Sequence, residues 1–216
     1  MHYRFWALAL VAAALAACGG DNGNDEKAAS APTAFPIIVN PSTATAGPAV
    51  QWTQLEGYFP SDRELPDRVV YQGRFDLSND KAARDANELQ QFQNAGRVSG
   101  VQYAFSVEAG ARTLSIGISY YNGSAEPKKL LRNSGDPGAH TAPGRFDVAG
   151  LGDEYIAQRL KLGTGEASAY VVNLAWVRGK FFVSLADLGG TEDTPTDIAV
   201  QMARLIDEKL KNNPNP

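Results

Sequence analysis

The chain has 216 residues, 44% hydrophobic and 20% charged, with a formal net charge of −4 at pH 7 and a single cysteine, Cys18. An acidic chain is not drawn electrostatically to nucleic acid or anionic headgroups, and one thiol excludes an internal disulfide. The fold must be held by core burial, which the roughly 165 residues from position 51 onward are enough to supply.

The first element is a leader. His2 and Arg4 precede an uncharged run over residues 5–16, and small residues then lead into Cys18. This is the pattern of a secretory signal removed on export; at about 12 residues the run falls short of the roughly 20 that a membrane-spanning helix needs. Leu15-Ala16-Ala17-Cys18 resembles the lipobox of bacterial lipoproteins. That resemblance implies removal of residues 1–17 as a lipoprotein signal peptide, a diacylglyceryl group on the Cys18 thiol, and acylation of the new amine by a fatty acid such as palmitate. Two or three acyl chains anchor stably where one is marginal. Gly19 follows the cysteine, not the Asp of an inner-membrane retention signal, so sorting to an outer membrane is open where the cell has one. The expected partner is the membrane, on its extracytoplasmic face, through covalent lipid at Cys18.

Residues 18–50 read as the lipidated cysteine and a flexible tether. Gly, Asn, Ala, Ser, Thr and Pro dominate, and little charge follows Asp25-Glu26-Lys27, so too little apolar surface is available to offset ordering. As a coil of about 30 residues the tether spans roughly 30 Å. Phe35-Pro36-Ile37-Ile38-Val39 is an apolar island in it, read as an edge strand or patch that docks on the domain, with a partner-binding motif as the alternative.

A single globular domain is expected over residues 51–212. After an extended segment punctuated by Leu65-Pro66 and Gly73, Asn79-Asp80 opens a predicted helix through about Ala95, with Ala82, Ala86, Leu89 and Phe92 on its inner face. Val101, Tyr103, Phe105 and Val107 alternate with small or polar residues, as do Leu114, Ile116, Ile118 and Tyr120, which predicts a hairpin around Gly110. Asn122-Gly123-Ser124 is a sequon, and Ser124 is also placed to cap a short helix ending near Arg132. The segment from Asp153 to Leu162 fits helix and strand alike. Tyr170, Val172, Leu174 and Trp176 alternate, Arg178-Gly179 turns the chain, and Phe181, Val183 and Leu185 return. A last helix opens near Thr194-Pro195-Thr196-Asp197, with Ile198, Met202, Leu205, Ile206 and Leu210 as its apolar stripe. Residues 213–216 read as a disordered tail.

Both halves thus end in a hairpin followed by a helix. Gly73-Arg74-Phe75-Asp76-Leu77 is echoed by Gly144-Arg145-Phe146-Asp147-Val148, and Val101 to Phe105 meets Val172 to Trp176 at the same offset. An internal duplication of strand, helix, hairpin and helix is one explanation, and patterning of alternating strands is the other. Either way the expected class is α+β, a mostly antiparallel sheet with helices packed on one face and the second face open to ligands.

Val148-Ala149-Gly150-Leu151-Gly152-Asp153-Glu154, the Val177-Arg178-Gly179-Lys180 turn and the terminal amphipathic helix resemble a group of bacterial lipoprotein domains. These are similar to the extracellular sensor domains of mycobacterial serine/threonine kinases, over roughly residues 60 to 211. The resemblance implies an extracytoplasmic α+β module with a ligand groove. Those sensor domains carry paired cysteines, which this chain lacks, and no kinase segment is present.

The residues that carry chemistry are few. His140 lies in a loop without carboxylates at ligand spacing and reads as solvated rather than as a base or metal ligand. Gly150-Leu151-Gly152-Asp153-Glu154 lacks the Lys and Ser/Thr of a phosphate loop and reads as a tight turn whose Asp or Glu caps the next element. Asp62, Glu64 and Asp67, and Glu192, Asp193 and Asp197, read as solvated acidic faces before calcium sites. No Gly-x-Ser-x-Gly elbow occurs, and no cofactor is expected. Tyr103, Phe105, Tyr120 and Trp176 share the inner face of adjacent strands, as ordinary core or as an apolar pocket between sheet and helices. The expected function is a non-enzymatic ligand-binding or sensing module at the cell envelope, partnered by an envelope protein or a small apolar ligand. The alternatives are a carrier of lipid or other apolar ligand, and a hydrolase with an unfamiliar site.

Overall fold

The computed structural model describes residues 50–140, 142–162 and 169–216; the leader, Cys18 and the apolar island at 35–39 lie outside the described residues. Alternating apolar positions give strands β1 (Val69–Asp76), β2 (Arg97–Val107), β3 (Arg112–Tyr121), β4 (Glu154–Leu162), β5 (Ala169–Arg178) and β6 (Phe181–Gly190). They form one six-stranded sheet in the order β1-β2-β3-β6-β5-β4, and every neighbouring pair is antiparallel. The domain is α+β, as expected.

Around the sheet lie a 3-10 helix (Trp52–Tyr58) and helices α1 (Asn79–Ala82), α2 (Ala86–Asn94), α3 (Ala125–Ser134) and α4 (Asp197–Asn212). One sheet face carries Val101, Phe105, Ile116, Leu174, Trp176 and Phe181, packed against Ile198, Met202, Ile206 and Leu210 of α4 and Leu55 of the 3-10 helix. Each fully buried side chain of this kind contributes about 1.5–3 kcal/mol, so this layer is the main source of stability.

The expectation of helices on one face is corrected by α3. Its Leu131 packs with Ile156, Ala175, Val177 and Phe182 on the opposite face. The cause is visible in β5, where Val171-Val172-Asn173-Leu174-Ala175-Trp176-Val177 is nearly continuous rather than alternating. A strand apolar on both faces needs cover on both.

The helix expected over 79–95 is two. Ala83 is extended, and Asp85 starts α2 by accepting from the Glu88 amide at 2.8 Å. The Glu88 carboxylate in turn accepts from the Arg84 amide at 2.7 Å, so the sequence Asp-x-x-Glu acts much as a capping box. Ser124 stands at the N-cap of α3 but makes no side-chain cap bond.

The sheet order is symmetric about the β3/β6 pair, and Tyr103 and Leu174 occupy equivalent positions in it: Tyr103 faces Ile116, Ile116 faces Leu185, and Leu185 faces Leu174. The remaining correspondences fail. Gly73 and Phe75 pair with β2 inside β1, whereas Arg145 makes only an isolated bridge to Gln158, and α3 and α4 lie on opposite faces. The duplication is not shown by the fold.

Two buried arginines tie the sheet together. Arg97 donates to Asn79 Oδ1 at 2.6 Å, to the Leu77 carbonyl at 2.8 Å and to Ser119 Oγ at 3.3 Å, and its guanidinium lies 4.9 Å from the Phe92 ring centre. Burial pulls its pKa down, against the attraction of Tyr121 and Asp76. Arg112 meets Asp187 at 2.9 Å, with both side chains almost wholly buried.

Candidate functional site

A recess of about 530 Å³ opens at the start of β4, lined by Arg132, Asp136, His140, Gly150, Gly152 and Tyr155 among others. Its outer wall is the segment after α3. Asp136 Oδ1 accepts from the Gly138 amide at 2.8 Å, a side-chain turn that redirects the chain and brings the half-buried His140 onto Tyr155. The two rings stack with centres 4.7 Å apart and planes 21° apart.

Residues 144–146 then run along the outer side of β4. Arg159 N–H donates to the Gly144 carbonyl at 2.6 Å, and Phe146 N–H donates to the Ala157 carbonyl at 3.2 Å. This places Asp147 where the Tyr155 hydroxyl donates to its carboxylate, while Val148 N–H donates to that hydroxyl at 3.2 Å. Burial, then the Asp147 bond, raises the Tyr155 pKa above its ordinary value. Tyr155→Phe is expected to lower stability by about 1 kcal/mol, measured by urea unfolding, because it unties Asp147 and Val148 together.

The floor of the recess is the glycine turn. Gly152 has φ of +61°, and a Cβ there would sit 2.7 Å from the Val177 carbonyl oxygen, so glycine is required by close approach as well as by dihedral. Its amide donates to Asp207 Oδ2 of α4 at 3.1 Å. Asp207 also accepts from Arg178 Nε at 3.0 Å, and this pairing raises the Arg178 pKa. Asp153 Oδ2 accepts from the Gly179 amide at 2.9 Å. Asp153 thus holds the β5–β6 turn rather than the element that follows it in sequence, a correction to the capping expected there.

Every carboxylate in the wall is already engaged. Glu154 takes two bonds from Arg132, at 2.9 and 2.6 Å; Asp153 also faces Arg178 at 3.3 Å; Asp136 holds its own turn. The wall also presents the stacked rings of His140 and Tyr155 and the backbone at Gly150.

Searched against known families, no family model matches the chain, and no curated protein matches it. Among solved structures the chain is similar to the extracellular domain of PknH from Mycobacterium tuberculosis. Identity is 11% and the TM-score 0.48, over 78% of this chain and 100% of that chain.

The aromatic residues singled out from sequence lie elsewhere. Phe105, Tyr120 and Trp176 are buried in the main core, and Tyr103 stacks on Phe59 with ring centres 3.8 Å apart; none of the four lines the recess. Of the acidic groups, Glu64 is held by the Ser61 amide and hydroxyl and by Lys209, which lower its pKa to about 2, and Glu192 accepts from the Tyr170 hydroxyl at 3.0 Å. Sequence reading reached His140 but not its partner. Tyr155 is one alternating residue in an ambiguous segment, and nothing local marks the contact.

Proposed function

We propose that the chain is a lipid-anchored lipoprotein of the bacterial envelope whose extracytoplasmic domain binds a small ligand without catalysing a reaction, as a sensing module. The observation that carries this reading is the recess beside Tyr155. It is formed, it offers an aromatic ledge and a glycine-lined floor, and its carboxylates are committed to arginines and turn amides. A carboxylate that acts as general acid or base must be free to exchange a proton with substrate; the three in this wall are held by Arg132, Arg178 and turn amides. A compact molecule with one flat or apolar face and a hydrogen-bonding rim suits such a surface. The anchor rests on the lipobox resemblance at Cys18. Among the described residues no helix is long and apolar enough to cross a membrane.

The site is tested by titrating the ¹⁵N-labelled mature chain carrying Cys18→Ser with a fragment set of small aromatic acids, amines and sugars. Amide shifts are expected to cluster at Gly138, Gly150, Gly152 and Tyr155, and His140→Ala is expected to weaken the best fragment about tenfold, a loss of roughly 1.4 kcal/mol. Shifts centred on Phe105 and Trp176 would favour a carrier of apolar ligands instead. For the anchor, Cys18→Ser is expected to move the protein out of the membrane fraction and abolish labelling by a palmitate analogue. An acylated, membrane-bound Cys18→Ser protein would overturn it.

A further inference from the structure

The sheet has one conspicuously apolar edge. Among the described residues β1 is paired on one side only, and it carries three exposed large hydrophobic side chains, Val70 at 56%, Tyr71 at 39% and Phe75 at 54%. β4, at the other edge, is partly covered by the bridge between Arg145 and Gln158 and by the bonds to Gly144 and Phe146. Natural edges are normally blunted by charge, proline or covering chain. β1 has a bulge at Tyr71/Gly73 and one cation, Arg74, on a strand that is otherwise open.

The described chain starts beside this edge. Val50 and Trp52 pack against the core. The Trp52 ring lies 5.4 Å from the Arg74 guanidinium, and Glu56 pairs with Arg74 at 2.6 Å. Ahead of them in sequence stands Phe35-Pro36-Ile37-Ile38-Val39, the one β-prone apolar run between the cysteine and the domain. The spacer 40–49 reaches at most about 33 Å, against about 27 Å for the whole length of β1. A run of that composition and an edge of that composition, joined by a spacer of that reach, are complementary.

We propose that residues 35–39 add to the free edge of β1 as a seventh strand, within the same chain. The main-chain pattern follows from Pro36. Proline has no N–H and is tolerated only where that position faces away from the ladder, so Phe35, Ile37 and Val39 bond to β1, and Ile38 shares the outward phase of Pro36. On the β1 side, the bond from Leu77 N–H to the Gly100 carbonyl and antiparallel alternation turn the amides of Arg74 and Asp76 outward to receive it. The docked strand covers Val70, Tyr71 and Phe75 and leaves residues 18–34 as the free lead to the lipid.

The test uses the whole mature chain with Cys18→Ser, which has no other thiol. Hydrogen exchange at Arg74 and Asp76 is expected to be at least tenfold faster in Ile37→Asp and Ile37→Pro than in the parent, and unchanged within twofold in Ile38→Pro. Equal exchange in all four proteins overturns the proposal. Equal acceleration by Ile37→Pro and Ile38→Pro also overturns it, because it removes the register. A cysteine at position 37, paired in turn with one at 70, 71 or 75, is expected to form an intramolecular disulfide at low micromolar protein. Disulfides that form only between molecules, increasing with concentration, would assign the edge to a second copy and overturn docking within the chain.

Discussion

Asp187→Ala is expected to destabilise the domain by about 3 kcal/mol, because it leaves the buried Arg112 guanidinium with only the partly exposed Glu108 carboxylate at 3.5 Å. Arg112 and Asp187 sit on the covered face between β3 and β6, 4% and 2% exposed. Asp187 Oδ1 makes no hydrogen bond among the described residues, so the pair is incompletely satisfied. Burial raises the Asp187 pKa to about 6 even though Arg112 opposes the shift. Desolvation therefore outweighs the attraction between the partners, and a joint apolar replacement, Arg112→Met with Asp187→Leu, is expected to be neutral or stabilising by up to about 4 kcal/mol. The pH dependence follows in sign. A carboxyl whose pKa is higher folded than unfolded contributes its full stabilisation below the unfolded value near 4, and that contribution is lost as pH rises toward 6. Urea unfolding of the parent and both variants at pH 4 and pH 7 checks this, together with a carboxyl NMR titration of Asp187. A parent more stable at pH 7 than at pH 4, with that difference lost in the joint apolar variant, would contradict it.

Gly100→Ala is expected to cost about 2–4 kcal/mol through the other buried arginine. A Cβ at position 100 would stand 2.3 Å from Arg97 Nη2 and 3.1 Å from the carbonyl oxygens of Ile118 and Leu77. Either the guanidinium leaves its site or the strands separate. Arg97→Ala alone is expected to cost about 3 kcal/mol, since the Leu77 carbonyl and Asn79 Oδ1 lose their donor and a cavity opens beside Phe92. The two changes share one contact, so they should not add. In the Arg97→Ala background the methyl at position 100 should cost less than half its cost alone, as a double-mutant cycle by chemical denaturation would measure. Additivity within 0.5 kcal/mol, the usual range for independent sites, would show that the guanidinium does not depend on the missing side chain.

Neither arginine could be recognised as buried from the sequence. Arg97 and Arg112 flank apolar alternation at places where a charged residue usually marks a strand end. Their acceptors come from Leu77, Asn79 and Ser119, and from Asp187, distant positions with no local signature. The strands themselves were legible because side-chain period fixes the face: Val101 to Val107 and Leu114 to Tyr120 pair as the pattern requires. β4 was ambiguous because Ile156 and Leu160 suit both periods, and pairing with Leu174 and Trp176 resolved it toward strand. The position of α3 was hidden by reading β5 as alternating when both its faces are apolar. The recess was hidden for a different reason. It is assembled from a loop, a glycine turn and the first residues of a strand, each ordinary alone, and only the stacking of His140 on Tyr155 brings them together.

Among the described residues, the pairing of residues 113–120 with residues 181–188 is the one strand pairing between the two three-stranded meanders. Every other pairing in the sheet joins strands consecutive along the chain, so within each meander no closure spans more than the 20 residues between β1 and β2, and closure cost grows only slowly with such lengths. The long-range closure is concentrated in a single step, the zipping of β3 against β6, and that step carries the topological part of the folding barrier. Until it occurs both inner strands are bare edges, and the folding chain is then most exposed to pairing with a neighbour.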